Sequence, residues 1–489
     1  MITKSDAGSF RELGRVALPL ILSSGSISLM HVIDRMYLTW FDTAAVGAAF
    51  QAGVLFWTLY SLLLGTVMYV NTFVAQYDGA KKPQRVVAAV WQGIYLAIIG
   101  GAVIMAIAPF SDRIFATIGH EASIQHLESS YFAICCMGGI PMALAACLSC
   151  FFTGRGHTKV VMYVNFTVLS INAVLDYLMI FGFGGFPEMG VRGAAIATMF
   201  SQCCAVAIYA KLVIGARHKE GYDTLKNWQY DGELFRRILR YGLPTGFQYL
   251  GEISGITIFI SLVGTIGSNE LTATSLAFNL NSMAFIPMLG FGTAVMTLVG
   301  RRIGEGRPEM AVRTTWIAAA FCCAYMLFFS AIYLFQPDAI IWIYSIGSDP
   351  EKFAPIRDLI VLLLKFVAVY SFFDGLAIIF SSAIRGAGDT RFALIFTIAD
   401  AWILMVIPVV VVWKFYEPNL LLGWAAVAVY IMVLGLGFFW RFHKGAWKSM
   451  RVIEHTANVE TEPVENVPHL LDDDVLPVPV VESAGEVTP

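Results

Sequence analysis

Shifted by 225 positions, this sequence lays its punctuation on itself. Pro19 falls on Pro244, Gly65 on Gly290, Thr72 on Thr297, Gly79 on Gly304 and Pro83 on Pro308. Further along, at a shift of 232, Gly154 falls on Gly386, Gly156 on Gly388 and Thr158 on Thr390. Glycine and proline mark breaks and turns, so what is copied is an architecture. Such a chain has to fold as two like halves. In a membrane, two like halves point to a path through their interface.

The membrane is read from composition. The chain is 57% hydrophobic and 14% charged over 489 residues, too apolar for a soluble protein of that size. Twelve apolar stretches reach or approach the length of a spanning helix, roughly 20 residues. They run over 14–38, 46–75, 88–110, 129–152, 160–183, 191–214, 236–265, 271–300, 313–335, 357–383, 392–414 and 419–442. The expected fold class is an all-α polytopic membrane protein, with twelve transmembrane helices in two pseudo-symmetric six-helix lobes. The expected divisions are an N-terminus at 1–13, an N-lobe at 14–214, a linker at 215–235, a C-lobe at 236–442 and a tail at 443–489.

Lys and Arg orient the chain. Lys4, Arg11 and Arg15 precede the first span, and the even-numbered connections carry most of the rest, among them Lys81, Lys82, Arg85, Arg155, Arg301, Arg302 and Arg385. By the positive-inside rule both termini are expected in the cytoplasm. Six spans per half give a parallel repeat, related by an axis along the membrane normal. The net charge of −3 hides this polarity, because nine acidic residues and no Lys or Arg follow Val452, leaving +6 for the rest. The tail is therefore expected to be acidic, disordered and cytoplasmic. The eight cysteines all lie in apolar stretches. Cys147 and Cys150 have zinc-ligand spacing but no second pair or histidine beside them, so they read as small packing residues.

A charge in hydrocarbon is costly and needs a reason. The candidates are Asp34, Asp176, Glu252, Lys365, Asp374 and Asp400, with His31 one turn before Arg35 on the first helix. The repeat tests them. At the matching shifts Asp34 faces Phe259, Asp176 faces Pro408, Glu252 faces Ile27, Asp374 faces Met142 and Asp400 faces Val168. The carboxylates are additions to a symmetric frame, which favours site chemistry over scaffold need. In the second half Gln248 and Glu252 lie a turn apart, as do Tyr370 and Asp374. Two carboxylates, a phenol and an amide can hold a hard cation or share a proton. In the first half Asn172 and Asp176 share a face, within reach of Asp34. Lys365 and Asp400 are supporting candidates that also suit helix pairing or snorkelling.

These residues resemble a known family, the multidrug and toxic compound extrusion (MATE) transporters, across residues 10 to 445. The resemblance is carried by Val32-Ile-Asp34, by Gln76-Tyr-Asp-Gly79 with Pro83, and by the run Asn172 to Gly182. Gly190-Val-Arg-Gly193, Arg385-Gly-Ala-Gly-Asp-Thr-Arg391 and Tyr370 to Asp374 complete it. It implies two six-helix lobes in a V, and export of cationic amphipathic compounds in exchange for Na+ or H+. It also implies that Glu252, Tyr370 and Asp374 form the cation site of the NorM-like branch, where Na+ would bind. Asp34, Asn172 and Asp176 would form an N-lobe site for proton or sodium. The expected partners are small organic cations and the lipid bilayer, with no nucleic acid and no cofactor beyond the coupling ion. A monomer in a bacterial inner membrane is expected. Where the family often has a glycine-rich stretch after the first-helix Asp, this chain has Tyr37-Leu-Thr-Trp-Phe-Asp42.

Two rival readings have sequence support. A flippase for a lipid-linked sugar or peptidoglycan precursor would line its cavity with Arg or Lys; here Arg35 and Lys365 stand against five carboxylates. An intramembrane aspartyl protease is suggested by Gly386-Ala-Gly-Asp389. The repeat copies those glycines as Gly154-Arg-Gly-His157 without the acid, so they read as a turn between helices.

Overall fold

The computed structural model describes residues 8–118, 122–219, 222–345 and 350–454. Among those residues it is helical throughout, with no strand. The first half comprises α1 (Phe10–Phe41), α2 (Thr43–Met68), α3 (Val70–Gly79), α4 (Pro83–Met105), α5 (Ser111–Ile118), α6 (Ala122–Met137), α7 (Gly139–Gly154), α8 (Thr158–Phe181) and α9 (Val191–Lys219). The second comprises α10 (Gly232–Gly264), α11 (Ser268–Gly304), α12 (Pro308–Phe335), α13 (Asp338–Ser345), α14 (Pro350–Ala387), α15 (Thr390–Asp400), α16 (Ile407–Phe415) and α17 (Leu420–Lys444). Among the described residues, eleven helical runs are long and apolar enough to cross a membrane. The pair α6–α7, bent by 42°, makes twelve when counted as one span. The chain is an integral membrane protein of the expected all-α class.

The duplicated residues show why both halves fold alike. Pro83 and Pro308 open α4 and α12, where a missing N–H costs no helical hydrogen bond. Gly156 and Gly388 take φ of +80° and +121° and turn the chain after α7 and after α14. Other duplicated glycines make the lobe interface. A Cβ on Gly65 would lie 2.8 Å from the Cα of Gly246, and one on Gly290 would lie 2.6 Å from the carbonyl oxygen of Leu20. Thr245 and Gly246 are the shift-225 counterparts of Leu20 and Ile21. Gly79 rests on the backbone of Arg301 and Gly304 on the backbone of Gln76, again exchanged counterparts. These reciprocal main-chain contacts define a pseudo-twofold axis between the lobes. They run from mid-helix to the end that carries the basic connections, hereafter the basic end.

Side chains close that end further. Asn71 Nδ2 donates to Thr297 Oγ1 at 2.9 Å, and the Tyr69 hydroxyl donates to the Arg385 carbonyl at 2.8 Å. Glu12 of α1 and Arg302 of α11 form a buried ion pair across the lobes at 2.5 Å. Buried pairs of this kind are strongly destabilising to break from one side, by about 3–5 kcal/mol, because an unpaired buried charge remains.

The two halves differ in where their helices break. In the first, the second span breaks at Tyr69 between α2 and α3, and the fourth bends at Gly138. Their counterparts α11 and α14 run unbroken. In the second half the irregularity falls in the fifth span, where a π-helical stretch, Ala401–Val406, separates α15 from α16. Pro408, which stands where the first half has Asp176, supplies the reason. It has no N–H for the preceding turn, and widening that turn accommodates the loss.

The expected tail boundary is corrected. Residues 445–454 are folded, not disordered: Ala446–Ser449 form a 3-10 turn, and Trp447, Val452 and Ile453 are buried. Their apolar side chains have a groove to occupy between the helix ends, which acidity further along the tail does not reveal. The rest of the expected tail, 455–489, lies outside the described residues. The linker is shorter than expected, because α9 extends to Lys219 and α10 begins at Gly232. Its described part, 222–231, lies on α4, with Trp91 Nε1 donating to the Thr224 carbonyl at 2.8 Å and Gln92 Nε2 to that of Gln229 at 3.1 Å.

Candidate functional site

In the first half, α1 and α8 pack along their lengths and place Asp34 against Asp176. Their carboxyl groups meet. An ionised carboxylate only accepts hydrogen bonds, so two that meet require a shared proton or a cation between them. Asp34 Oδ1 and both oxygens of Asp176 find no donor among the described residues apart from the facing carboxyl. Asn172, one turn before Asp176 and fully buried, turns its Nδ2 to Thr198 Oγ1 of α9 at 3.5 Å. The sequence-predicted trio is thus assembled. Asp34 also lines a cavity of about 600 Å³, whereas Asp176 lies behind it.

That cavity lies between the lobes and is walled mainly by the first. Phe56, Trp57 and Tyr60 present an aromatic wall, with Phe56 and Tyr60 stacked at 5.4 Å. His31 meets Trp57 edge-on at 5.9 Å, and Arg35 lies over Phe50 at 5.3 Å. Deeper, Asn165 Nδ2 donates to Ser23 Oγ at 2.6 Å. Thr257 and Thr293 close the wall from the second lobe. Tyr131 of α6, which no sequence signal singles out, lines the cavity and lies within electrostatic reach of Asp34 and Asp176. The stretch Tyr37 to Phe41, which departs from the family pattern, forms an aromatic packing layer. Tyr37 and Phe41 contact Tyr177 and Phe181 of α8 at 5.8 and 6.2 Å.

In the second half the predicted residues approach each other across three helices. Gln248 Nε2 donates to Glu252 Oε1 on α10 at 2.9 Å. Asp374 and Tyr370 share a face of α14, and Asp374 lies within electrostatic reach of Glu252. Tyr370 is 1% exposed, and its hydroxyl has no partner among the described residues. The same holds for Gln248 Oε1 and Asp400 Oδ2. Buried polar atoms are ordinarily paired, so this group of orphaned oxygens fits a proton or a hard cation. No three His, Cys, Asp or Glu side chains cluster as a metal set among the described residues, so such a cation would rest on two carboxylates, the phenol and the amide.

Three further residues flank this group, of which Asp400 is expected from the sequence and Tyr430 and Arg385 are not. Asp400 is buried at the start of the π-helical stretch. Tyr430 of α17 lies within electrostatic reach of Glu252, Asp374 and Asp400. Arg385, counted from sequence as a connection charge, reaches inward, lies over the Tyr249 ring at 5.8 Å and acts electrostatically on Glu252. Spacing gave no signal for Tyr430, because it sits on a different helix far along the chain. Lys365 is exposed on the outer face of α14 and does not join the group. Asp389 is buried in the turn before α15 and pairs with Arg441 Nε at 2.7 Å, so the protease dyad is not formed.

Two six-helix lobes about a pseudo-twofold axis, with a shared cavity and buried carboxylates beside it, define a membrane transporter and not an enzyme. The MatE family profile matches residues 19–178 and 244–411. The chain belongs to that family. Among curated relatives, a probable multidrug resistance protein NorM of Thermotoga maritima is 26% identical over 449 residues, covering 91% of this chain and 94% of the relative. A protein of the same description from Bacillus anthracis is 27% identical over 450 residues, covering 89% and 94%. Among solved structures, one of an outward-facing multidrug resistance MATE family transporter of the MOP superfamily has a TM-score of 0.79 at 21% identity, covering 90% of this chain and 96% of its own. A MOP superfamily transporter from Pyrococcus furiosus, whose binding pocket is described as reversed in polarity and suggestive of a different function, has a TM-score of 0.78 at 21% identity, with the same coverage.

Proposed function

We propose that this transporter exports cationic amphipathic compounds in exchange for Na+ or H+, by alternating access between its two lobes. The observation that carries the reading is the contact between Asp34 and Asp176 at the edge of an aromatic-walled cavity. Ionised, the pair offers a counter-charge to an organic cation lying against Trp57 and Tyr60, where cation–π attraction adds to it. Protonated or occupied by Na+, it does not. Loading of the coupling ion and loading of the cargo therefore compete for Asp34. Glu252, Asp374 and Tyr370 act as the second coupling site, with Gln248 and Asp400 supporting. By the positive-inside rule the basic end faces the cytoplasm, so the packed basic end corresponds to an outward-facing state. The names of the NorM relatives support multidrug export as the physiological class, in a bacterial cell membrane.

The test is efflux of a fluorescent organic cation from proteoliposomes, with Na+ and pH gradients imposed separately. Asp34→Asn and Asp176→Asn should each reduce gradient-driven efflux by at least about tenfold, and whichever gradient drives the wild type identifies the ion. Arg35 and His31 in the cavity wall favour one alternative, a flippase for an anionic lipid-linked sugar. Scrambling of such a lipid by vesicles that move no cation would establish that reading instead.

A further inference from the structure

The pseudo-symmetry fails at the charged pair of the basic end, and the failure is filled. Glu12 and Arg302 pair across the lobes, with Arg302 Nη2 at 2.5 and 2.7 Å from the two carboxylate oxygens. At the 225-residue shift Glu12 is replaced by Arg237 and Arg302 by Tyr77. An arginine and a tyrosine facing each other across the lobes bring no anion of their own; Arg237 Nη2 meets only the largely exposed Glu233 of its own helix, at 3.2 Å among the described residues, and Nη1 is left for a second carboxylate. Between them lies Glu454, from the folded strap after α17. The Tyr77 hydroxyl donates to both Glu454 oxygens at 3.0 Å, and Arg237 Nη1 forms an ion pair with Oε1 at 2.7 Å. Arg85 Nη2 also donates to Glu454, while its Nη1 is held by Asp231 at 2.8 Å. Tyr77 and Arg85 belong to the first lobe and Arg237 to α10 of the second, so the carboxylate joins the two.

The strap that delivers Glu454 is built in. Trp447 is fully buried, stacks on Phe442 at 4.9 Å and donates from Nε1 to the Phe442 carbonyl at 2.9 Å. The Val452 N–H donates to Gln76 Oε1 at 2.9 Å, and Gln76 Nε2 donates to the Gly386 carbonyl at 2.9 Å. One buried amide of the first lobe thus ties both the strap and a connection of the second. Gln76 is also the residue whose backbone packs on Gly304.

We propose that Tyr77, Arg85 and Arg237 form a carboxylate-binding site spanning both lobes, and that Glu454 of the chain's own C-terminal strap occupies it as a latch that holds the basic end closed. The latch completes by an added strand of chain what Glu12 and Arg302 achieve directly on the other side of the axis. Its consequence for transport rests on the alternating-access reading, because opening of the basic end must separate Tyr77 and Arg85 from Arg237. The side chains involved are about a quarter to a third exposed, at 28% for Glu454, 35% for Arg85 and 25% for Arg237. That suits a contact that has to be made and broken in each cycle, not a permanent buried pair.

The experiment is hydrogen–deuterium exchange on the purified full-length protein in lipid nanodiscs, with no substrate and no gradient. In Glu454→Gln, peptides covering 70–85 and 296–307 should exchange faster by roughly fivefold, the response to about 1 kcal/mol of lost closure. Peptides at the opposite end, over 35–50, should not exchange faster. Tyr77→Phe, which removes only the hydroxyl, should give a smaller change of the same pattern. The double variant Glu454→Gln with Arg237→Gln should exchange no faster than the more affected single variant, because both remove one contact. Lys448→Ala, on the strap but paired with exposed Glu309, should match the wild type. Wild-type exchange in Glu454→Gln, additive effects in the double variant, or an equal response to Lys448→Ala would overturn the latch. The readout involves no transport, so it stands or falls separately from the antiport reading.

Discussion

The two lobes share a frame and differ in how they hold their carboxylates. In the first lobe Asp34 and Asp176 touch, and Asp34 opens onto the cavity. In the second, Glu252, Asp374 and Asp400 on three helices lie within electrostatic reach of Tyr430 on a fourth, and the carboxylate hydrogen bond found among the described residues of the group is from Gln248. The backbone follows the same division. The lobe with the touching pair bends at Tyr69 and Gly138, beside its cavity, while the other distorts next to Asp400. The first lobe therefore brings a carboxylate to the cavity wall, and the second holds its carboxylates off that wall.

That comparison can be broken by substitution. Asp176→Asn and Asp34→Asn should each reduce gradient-driven efflux by at least about tenfold, since a lost transition- or bound-state contact of about 1.4 kcal/mol has that effect. Glu252→Gln and Asp374→Asn should cost less at saturating gradient but change the Na+ or H+ concentration needed for half-maximal efflux. If the second-lobe variants cost more in rate and leave the ion dependence unchanged, the assignment of roles is inverted. The shared frame is tested next. Gly290→Val places a branched side chain against the Leu20 carbonyl and should lower stability by about 1–3 kcal/mol, the range of core overpacking. Thermal unfolding in detergent would show it, and an unchanged midpoint would remove the reciprocal glycine contacts as the axis.

Smaller effects sharpen the picture. Trp57→Ala should weaken binding of a fluorescent cation by about 0.5–2 kcal/mol, the range for a desolvated cation–π contact, and leave a neutral dye of similar size unaffected. The strap should respond to acid. Burial pushes the Glu454 carboxyl up, but hydrogen bonds from Arg85 and Tyr77 outweigh it and hold its pKa below the ordinary 4.5. A carboxyl whose pKa is depressed by its contacts contributes stability above its free value, and that contribution is lost as pH falls through the depressed one. Closure of the basic end should therefore be independent of this group from neutrality down to pH 4.5 and weaken only below it. The smallest expected effect is that of Lys365→Ala, whose side chain is exposed away from both sites; efflux within about twofold of wild type is expected, as for most surface substitutions.

Much of the site was legible because its residues break a repeat. Asp34, Asp176, Glu252 and Asp374 have no counterparts at the matching positions, and a carboxylate in an apolar span is expensive enough to be informative alone. Asn172 with Asp176, and Tyr370 with Asp374, were legible from helical spacing. Tyr131, Tyr430 and Arg385 were not, because aromatic residues and a basic connection are ordinary in such a chain until packing turns them inward. The tail shows the limit most clearly. Its acidic composition predicts disorder from residue 443 on, but Trp447, Val452 and Glu454 fold against both lobes.

The duplication, the apolar spans, the charge asymmetry of the connections and the intramembrane charges foreign to the scaffold are all legible in the chain before it folds. These follow from local quantities: hydropathy over a span, backbone freedom at glycine and proline, and the cost of burying a charge. The tertiary structure decided which carboxylates meet, where each half distorts, and that Glu454 stands in for a charge the repeat failed to copy. Those are relations between residues as far apart as Tyr77 and Glu454. No local pattern encodes them, because they exist only once two lobes and a strap are packed about one axis.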